Sequence, residues 1–384
     1  MDVLDGKNLS LQSAPCSADL DKEAASYWIA FNRVLGIGPV SFRLLLNHFQ
    51  DDLATAWQAD RQELARAGLH QKTIDALIDQ RAKIEPAREV ERLEKAQIEV
   101  LTWRDPAYPA LLREIDAAPP VLYLKGKLTE ADRFALAVVG TRNADHYGQQ
   151  ATERLVTDLA RGQVTVVSGL ALGIDAIAHH AALDAGGRTI AVMACGLDII
   201  YPAKNAKLAR RIVESNQGAL LSEHPVGVQP DGGNFPARNR VISGLSQGVL
   251  VVEAGERSGA LITAGFALKQ GREVFAVPGS IFASRCLGTN RLIREGAHLV
   301  LDVKDILEAL NLFMLPQQME MQQALPENAE ERDLLALLGH EPIHINEMII
   351  ASGLPAPTVT ATLTLLELKG LVKAIGSAQF VLAR

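Results

Sequence analysis

Residues 164–175 read Val164-Thr165-Val166-Val167-Ser168-Gly169-Leu170-Ala171-Leu172-Gly173-Ile174-Asp175. Four β-favouring residues come first, then small residues, then a helical pattern that continues to residue 185. An apolar run with no polar alternation is a strand buried on both faces. The same order recurs on either side. Strands are predicted at 134–139, 164–167, 189–193, 218–221, 248–252 and 273–276. Amphipathic segments lie at 148–161, 174–185, 204–215 and 259–270. Apolar strands separated by helices predict a parallel sheet covered on both faces, a Rossmann-like domain over 98–311.

Outward from this domain the patterning changes. Residues 1–20 are polar and aperiodic and read as a flexible tail. From 21 to 97 the periodicity is helical, with Trp28, Ile29, Phe31 and Leu35 on one apolar face and Leu44, Leu45 and Phe49 on another. Leu35-Gly36-Ile37-Gly38-Pro39 between them makes a tight turn. It fits a helix-hairpin-helix that offers backbone N–H groups to a phosphate, or a plain turn between two helices. This segment is expected to be a small helical domain of the SAM or helix-hairpin-helix kind. Residues 312–328 are rich in Gln and Pro and read as a linker. The remainder, 329–384, predicts helices near 331–338, 345–352 and 356–369, then strands at 371–375 and 379–382 turned at Gly376-Ser377. That is the order of a winged-helix domain.

The chain has 384 residues, enough for two or three domains. Its 48% hydrophobic content excludes global disorder. Cys16, Cys195 and Cys286 are far apart and form no C-x-x-C pair, so neither a zinc site nor a disulfide framework is expected. The N-terminal MDVLDGKNLS has no basic-then-apolar signal, and no apolar run reaches membrane-spanning length. A cytoplasmic protein follows as the expectation.

In a parallel α/β sheet, ligands sit beyond the carboxyl ends of the strands, so the loops there carry the chemistry. Those loops hold Arg142, Ser168-Gly169, Lys204 and Asn234-Phe235-Pro236-Ala237-Arg238-Asn239-Arg240. Small residues let the backbone approach an anion, and the following helices aim their N-termini at the same crevice. The net charge is −7, yet Asn234–Arg294 carries eight Lys/Arg against three Glu. A basic segment in an acidic chain suits a polyanion, unless nearby glutamates neutralise it.

These loops also carry a family resemblance. Val139-Gly140-Thr141-Arg142, Ser168-Gly169-Leu170-Ala171 with Gly173-Ile174-Asp175 and His179, and Gly196-Leu197-Asp198 with Tyr201-Pro202 are similar to the DNA-processing protein A (DprA/Smf) family. So are Ser222-Glu223, Asn234–Arg240, Ser258–Ala264, Val274–Gly279 and Asn290 with Leu292-Ile293 and Gly296-Ala297. The matches are collinear across nearly the whole central domain. The resemblance implies a dimeric protein that covers incoming single-stranded DNA and helps load RecA recombinase onto it.

The site expected from both lines puts Arg142 at the centre as a phosphate clamp. Lys204, Arg238 and Arg240 line the path and Asn239 donates an amide hydrogen bond. Backbone N–H groups at Ser168 and Gly169 complete an anion pocket. Phe235 is a candidate for base stacking or for the core. Leu292-Ile293 with Ala297 and Leu299 forms an apolar cluster near the last strand, which predicts a homodimer interface at Ile293 and Leu299.

Other classes are weaker. Asp175 and His179 share a helix face, but two ligands make no metal site, and a hydrogen-bonded structural pair is expected. No Walker A pattern or dinucleotide fingerprint is present, and no cofactor is expected. The sheet also resembles the lysine-decarboxylase-like nucleotide phosphoribohydrolases. Their P-G-G-x-G-T-x-x-E loop corresponds to Ala254–Thr263, which lacks the proline and the catalytic glutamate, so an enzyme is disfavoured. A protein-only adaptor role is a third class. Within the predicted recognition helix 356–369, Lys369 alone is basic, so base readout of duplex DNA is not expected there.

Overall fold

The computed structural model describes residues 22–312, 329–338, 342–368, 372–376 and 378–382. The tail expected at 1–20, Cys16, residues 313–328 of the linker expected at 312–328, Lys369 and Ser377 of the last turn lie outside the described residues. Two compact units divide at Leu310/Asn311.

The first unit is built on a nine-stranded sheet. Its strands are β1 (Glu99–Thr102), β2 (Val121–Gly126), β3 (Ala135–Val139), β4 (Thr165–Ser168), β5 (Thr189–Met193), β6 (Gly218–Ser222), β7 (Gly248–Val251), β8 (Glu273–Ala276) and β9 (His298–Leu299). The order is β1-β2-β6-β5-β4-β3-β7-β8-β9. From β6 through β9 every pairing is parallel, as the unbroken apolar runs require. β1 and β2 add an antiparallel edge beside β6. The chain winds outward from β3 to β6 and then returns to the other side of β3 at β7. That reversal opens a crevice at the carboxyl ends of β3 and β7.

Helices precede, join and follow the strands. The N-terminal group is α1 (Lys22–Arg33), α2 (Pro39–His48), α3 (Leu53–Gln58), α4 (Arg61–Arg66), α5 (Gln71–Arg81) and α6 (Pro86–Ala96). Around the sheet lie α7 (Ala110–Arg113), α8 (His146–Arg161), α9 (Ile174–Asp184), α10 (Ala206–Glu214), α11 (Asn234–Gly244), α12 (Ala260–Lys269), α13 (Leu287–Arg294) and α14 (Val303–Ala309). The turn between α1 and α2 falls where Gly36–Pro39 predicts it, with Pro39 in the first turn of α2. Leu35, expected on the apolar face of α1, lies beyond the helix end and is exposed.

The boundary at 97/98 is a change of secondary structure and not a gap in the core. Trp28, Phe31, Phe42 and Leu77 of the helical segment belong to one buried cluster with Val121, Tyr123, Leu197 and Leu220 around the sheet. Asn32 Nδ2 reinforces the join by donating to the Glu223 carbonyl (3.0 Å).

The second unit contains α15 (Ala329–Leu337), α16 (Ile345–Ser352) and α17 (Ala356–Leu368). β10 (Ile343–His344), β11 (Val372–Gly376) and β12 (Gln379–Leu382) form a sheet in the order β10-β12-β11. Leu334, Met348, Val359, Leu363, Leu366 and Val372 make its core. The two-residue β10 is an addition to the two strands read from sequence. It is too short to show a period of its own.

Candidate nucleic-acid interface

The loop after β3 is held by backbone bonds to its neighbours. Thr141 N–H donates to the Glu253 carbonyl at the end of β7 (2.7 Å), and Ile174 N–H donates to the Thr141 carbonyl (3.1 Å). Close packing here excludes a side chain at Gly173. Its φ is +76°, and a Cβ would sit 2.3 Å from the Thr141 carbonyl oxygen. Arg142, the next residue on this fixed loop, is exposed. Its guanidinium lies 5.6 Å from the ring centroid of Phe235 at the start of α11. Phe235 in turn lies 5.5 Å from the ring of Tyr201. Among the described residues, no carboxylate is within ion-pairing distance of Arg142. An exposed cation on an aromatic pair presents one group for a phosphate and two rings for a base.

Lys204 lies in the turn that leads into α10 and is exposed, with no ion pair among the described residues. The turn is fixed by the buried Asn205, whose Nδ2 donates to the carbonyls of Leu170 (2.8 Å) and Ala171 (3.2 Å). Thus the loops after β4 and β5 are tied together beside Lys204.

The remaining predicted residues are committed to the frame. Ser168 is buried and its Oγ donates to the Val138 carbonyl (2.6 Å). Gly169 N–H donates to Asp175 Oδ2 (3.1 Å), so it is not a free anion donor. Arg238 is buried and donates to the carbonyls of Gly169 (2.8 Å) and Val192. Burial pulls its pKa down to about 10, against the opposing attraction of Asp175, and it remains a cation at neutral pH. A Cβ at Gly169 would lie 2.5 Å from this guanidinium, which accounts for glycine at that position. Arg240 makes a two-pronged ion pair with Glu223 (2.5 and 2.6 Å). Asn239 Nδ2 donates to the Gly259 carbonyl (3.4 Å), a link to the loop after β7. Of the four cations expected along the path, Arg142 and Lys204 are the two without a carboxylate or carbonyl partner among the described residues, because the more buried Arg238 and Arg240 spend their donors on fixed acceptors.

Half of the basic segment is committed in the same way, while Arg257, Lys269, Arg285 and Arg294 have no ion pair among the described residues. Besides Arg238 and Arg240, Arg272 pairs with Glu114 (3.2 Å) and Arg291 with Glu295 (2.8 Å). The Asp175–His179 pair does not form either. Asp175 accepts from Gly169 and Ala171, while His179 Nδ1 faces Thr189 Oγ1 at 2.6 Å. Tyr201 is the residue that sequence reasoning passed over as a site. Its signal was an aromatic in a loop beyond a parallel strand, on the same edge as Phe235.

The profile of DNA recombination-mediator protein A matches residues 99–311, and that of the DprA winged helix domain matches 318–376. This chain belongs to the DprA/Smf family. Protein Smf of Synechocystis sp. is 37% identical, over 90% of this chain and 96% of its own length. Protein Smf of Escherichia coli is 39% identical, over 83% of this chain and 88% of its own. The X-ray structure of DNA processing protein A from Streptococcus pneumoniae superposes with a TM-score of 0.65 at 35% identity, covering 74% of this chain and 97% of that one. A Helicobacter pylori DNA processing protein A structure, described for its single-stranded DNA binding mode, gives a TM-score of 0.50 at 32% identity. It covers 56% of this chain and 95% of that one. Within the DprA/Smf fold of this chain, Ile293 is half-buried on α13, and Leu299 is 43% exposed on the edge strand β9.

Proposed function

We propose that this protein binds single-stranded DNA at the carboxyl edge of its parallel sheet, as part of DNA processing during transformation and recombination. Arg142 and Lys204 hold phosphates, and Phe235 with Tyr201 stacks a base. The observation that carries this reading is the Arg142 guanidinium over the Phe235 ring, with no ion pair among the described residues and on a loop locked by backbone bonds. The binding mode named for the Helicobacter pylori relative supports the same ligand class. Arg238, Asn239, Arg240, Ser168 and Gly169 hold the loops in place. The protein acts as a cytoplasmic homodimer through Ile293 and Leu299, covers incoming single strands and helps load RecA. Its role is binding and not catalysis.

A gel-shift with single- and double-stranded DNA of equal length, across a salt series, tests this. The single strand is expected to bind more tightly. Arg142→Ala and Lys204→Ala should each weaken it and flatten the dependence of log K on log salt by roughly 0.7 for the lost contact. Unchanged binding in both variants, with circular dichroism intact, removes the reading.

A further inference from the structure

Lys204 is followed immediately by α10, whose two faces differ sharply. Leu208, Ala209 and Ile212 are buried against the sheet. The outer face holds Lys207, Arg210, Arg211 and Glu214, which line a shallow concavity with Ser215. At about 100° per residue these four side chains fall within an arc of roughly 100°. Arg211 is paired with Asp184 (2.6 Å). Lys207 and Arg210 have no ion pair among the described residues. Lys207 repels Arg210 and Arg211, the like charges three and four residues on, so it is not placed there to hold the helix.

We infer that the outer face of α10 is a second single-stranded DNA track, with Lys207 and Arg210 receiving the strand as it leaves Lys204. The inference rests on the reading of the Arg142 surface as a single-stranded DNA site. α10 follows a parallel strand and leads into the next one, so it runs from the carboxyl edge back along the face of the sheet. Its nine residues span about 13 Å. A flexible single strand can turn from the edge onto that face. A duplex, stiff over about 50 nm, cannot bend so sharply without a large cost. The track therefore selects single strands and gives the bound strand an exit direction.

The test compares labelled oligothymidines of about six and about thirty nucleotides, by fluorescence anisotropy at low salt, on the full chain. Lys207→Glu with Arg210→Glu should weaken the long strand by about fivefold or more. The short strand, which fills only the Arg142 surface, should change less than about twofold. Lys207→Gln with Arg210→Gln should act in the same direction and less strongly, and serves if the Glu pair perturbs folding. Arg142→Ala should weaken both lengths. An unchanged long-strand affinity in a folded variant overturns the inference, as does an equal loss at both lengths. An equal loss on a duplex of the long sequence also overturns it and assigns the face to double strands. If Arg142→Ala weakens binding and the α10 variants do not, this inference alone falls. If the wild-type protein binds neither strand, the Arg142 reading falls and takes this one with it.

Discussion

His179 is fully buried on α9, and its Nδ1 lies 2.6 Å from Thr189 Oγ1. The Thr189 hydroxyl proton is already donated to the Val166 carbonyl (2.8 Å). Nδ1 is therefore the donor to Thr189, and Nε2 carries the lone pair, with no partner among the described residues. A ring so placed is neutral, and burial pulls its pKa down to about 3 from 6.5. In the unfolded chain the same ring takes up a proton near pH 6.5. The unfolded state thus binds more protons between those values, and stability falls as pH drops through that window. The loss attributable to His179 should reach about 2 kcal/mol by about pH 5. Asp175, whose pKa burial raises, acts in the opposite sense over its own range, so the comparison must isolate His179. Urea denaturation of wild type and His179→Gln at neutral pH and at about pH 5 does so. The variant should be less stable at neutral pH and show a shallower fall with acid. Equal acid slopes would mean that another group controls the loss.

At the level of elements, β9 is the last strand of the sheet. Among the described residues it pairs with β8 alone, through Phe275–His298 and Ala276–Leu299. Leu299 is 43% exposed, and Leu301 just beyond it is 71% exposed. A parallel edge with apolar side chains beside it invites another chain, which supports the proposed dimer. Ile293→Glu and Leu299→Glu are expected to give monomers by light scattering at tens of micromolar. A wild-type protein that is already monomeric at that concentration removes the interface. Central strands such as Thr189–Met193 were legible because buried parallel strands are unbroken apolar runs. β1 and β9, with four and two residues, were not, since each is a strand only by virtue of the partner it pairs with, and the six-residue antiparallel β2 was not read from the sequence either.

For the molecule as a whole, the division at Leu310/Asn311 separates the Arg142 surface from the winged-helix unit. Deleting residues 315–384 removes that unit and leaves Arg142, Lys204, Tyr201, Phe235 and α10 intact. The recognition-type helix α17 contains no Arg or Lys within Ala356–Leu368, so it adds little electrostatic affinity. Binding of labelled poly-dT at one salt concentration should fall by less than about tenfold, or roughly 1.4 kcal/mol. A hundredfold loss in a truncated protein that is still dimeric and folded would place the DNA on the winged-helix unit instead.

The amino-acid sequence alone determined the parallel core, the edge at which its loops gather, and the family. Each follows from local information: strand runs, small residues after them, and collinear motifs. Which arginines remain available was decided by tertiary structure. Arg142, Arg238 and Arg240 are alike as letters in loops of one edge. Their difference arises from what the fold brings to each: a ring beneath Arg142, two carbonyls around Arg238 and a carboxylate against Arg240. Tyr201 joined the site for the same reason, since its partner Phe235 is 34 positions away in the chain and 5.5 Å away in space. Desolvation and pairing act through space, and so the free charge at a site is a property of the folded chain.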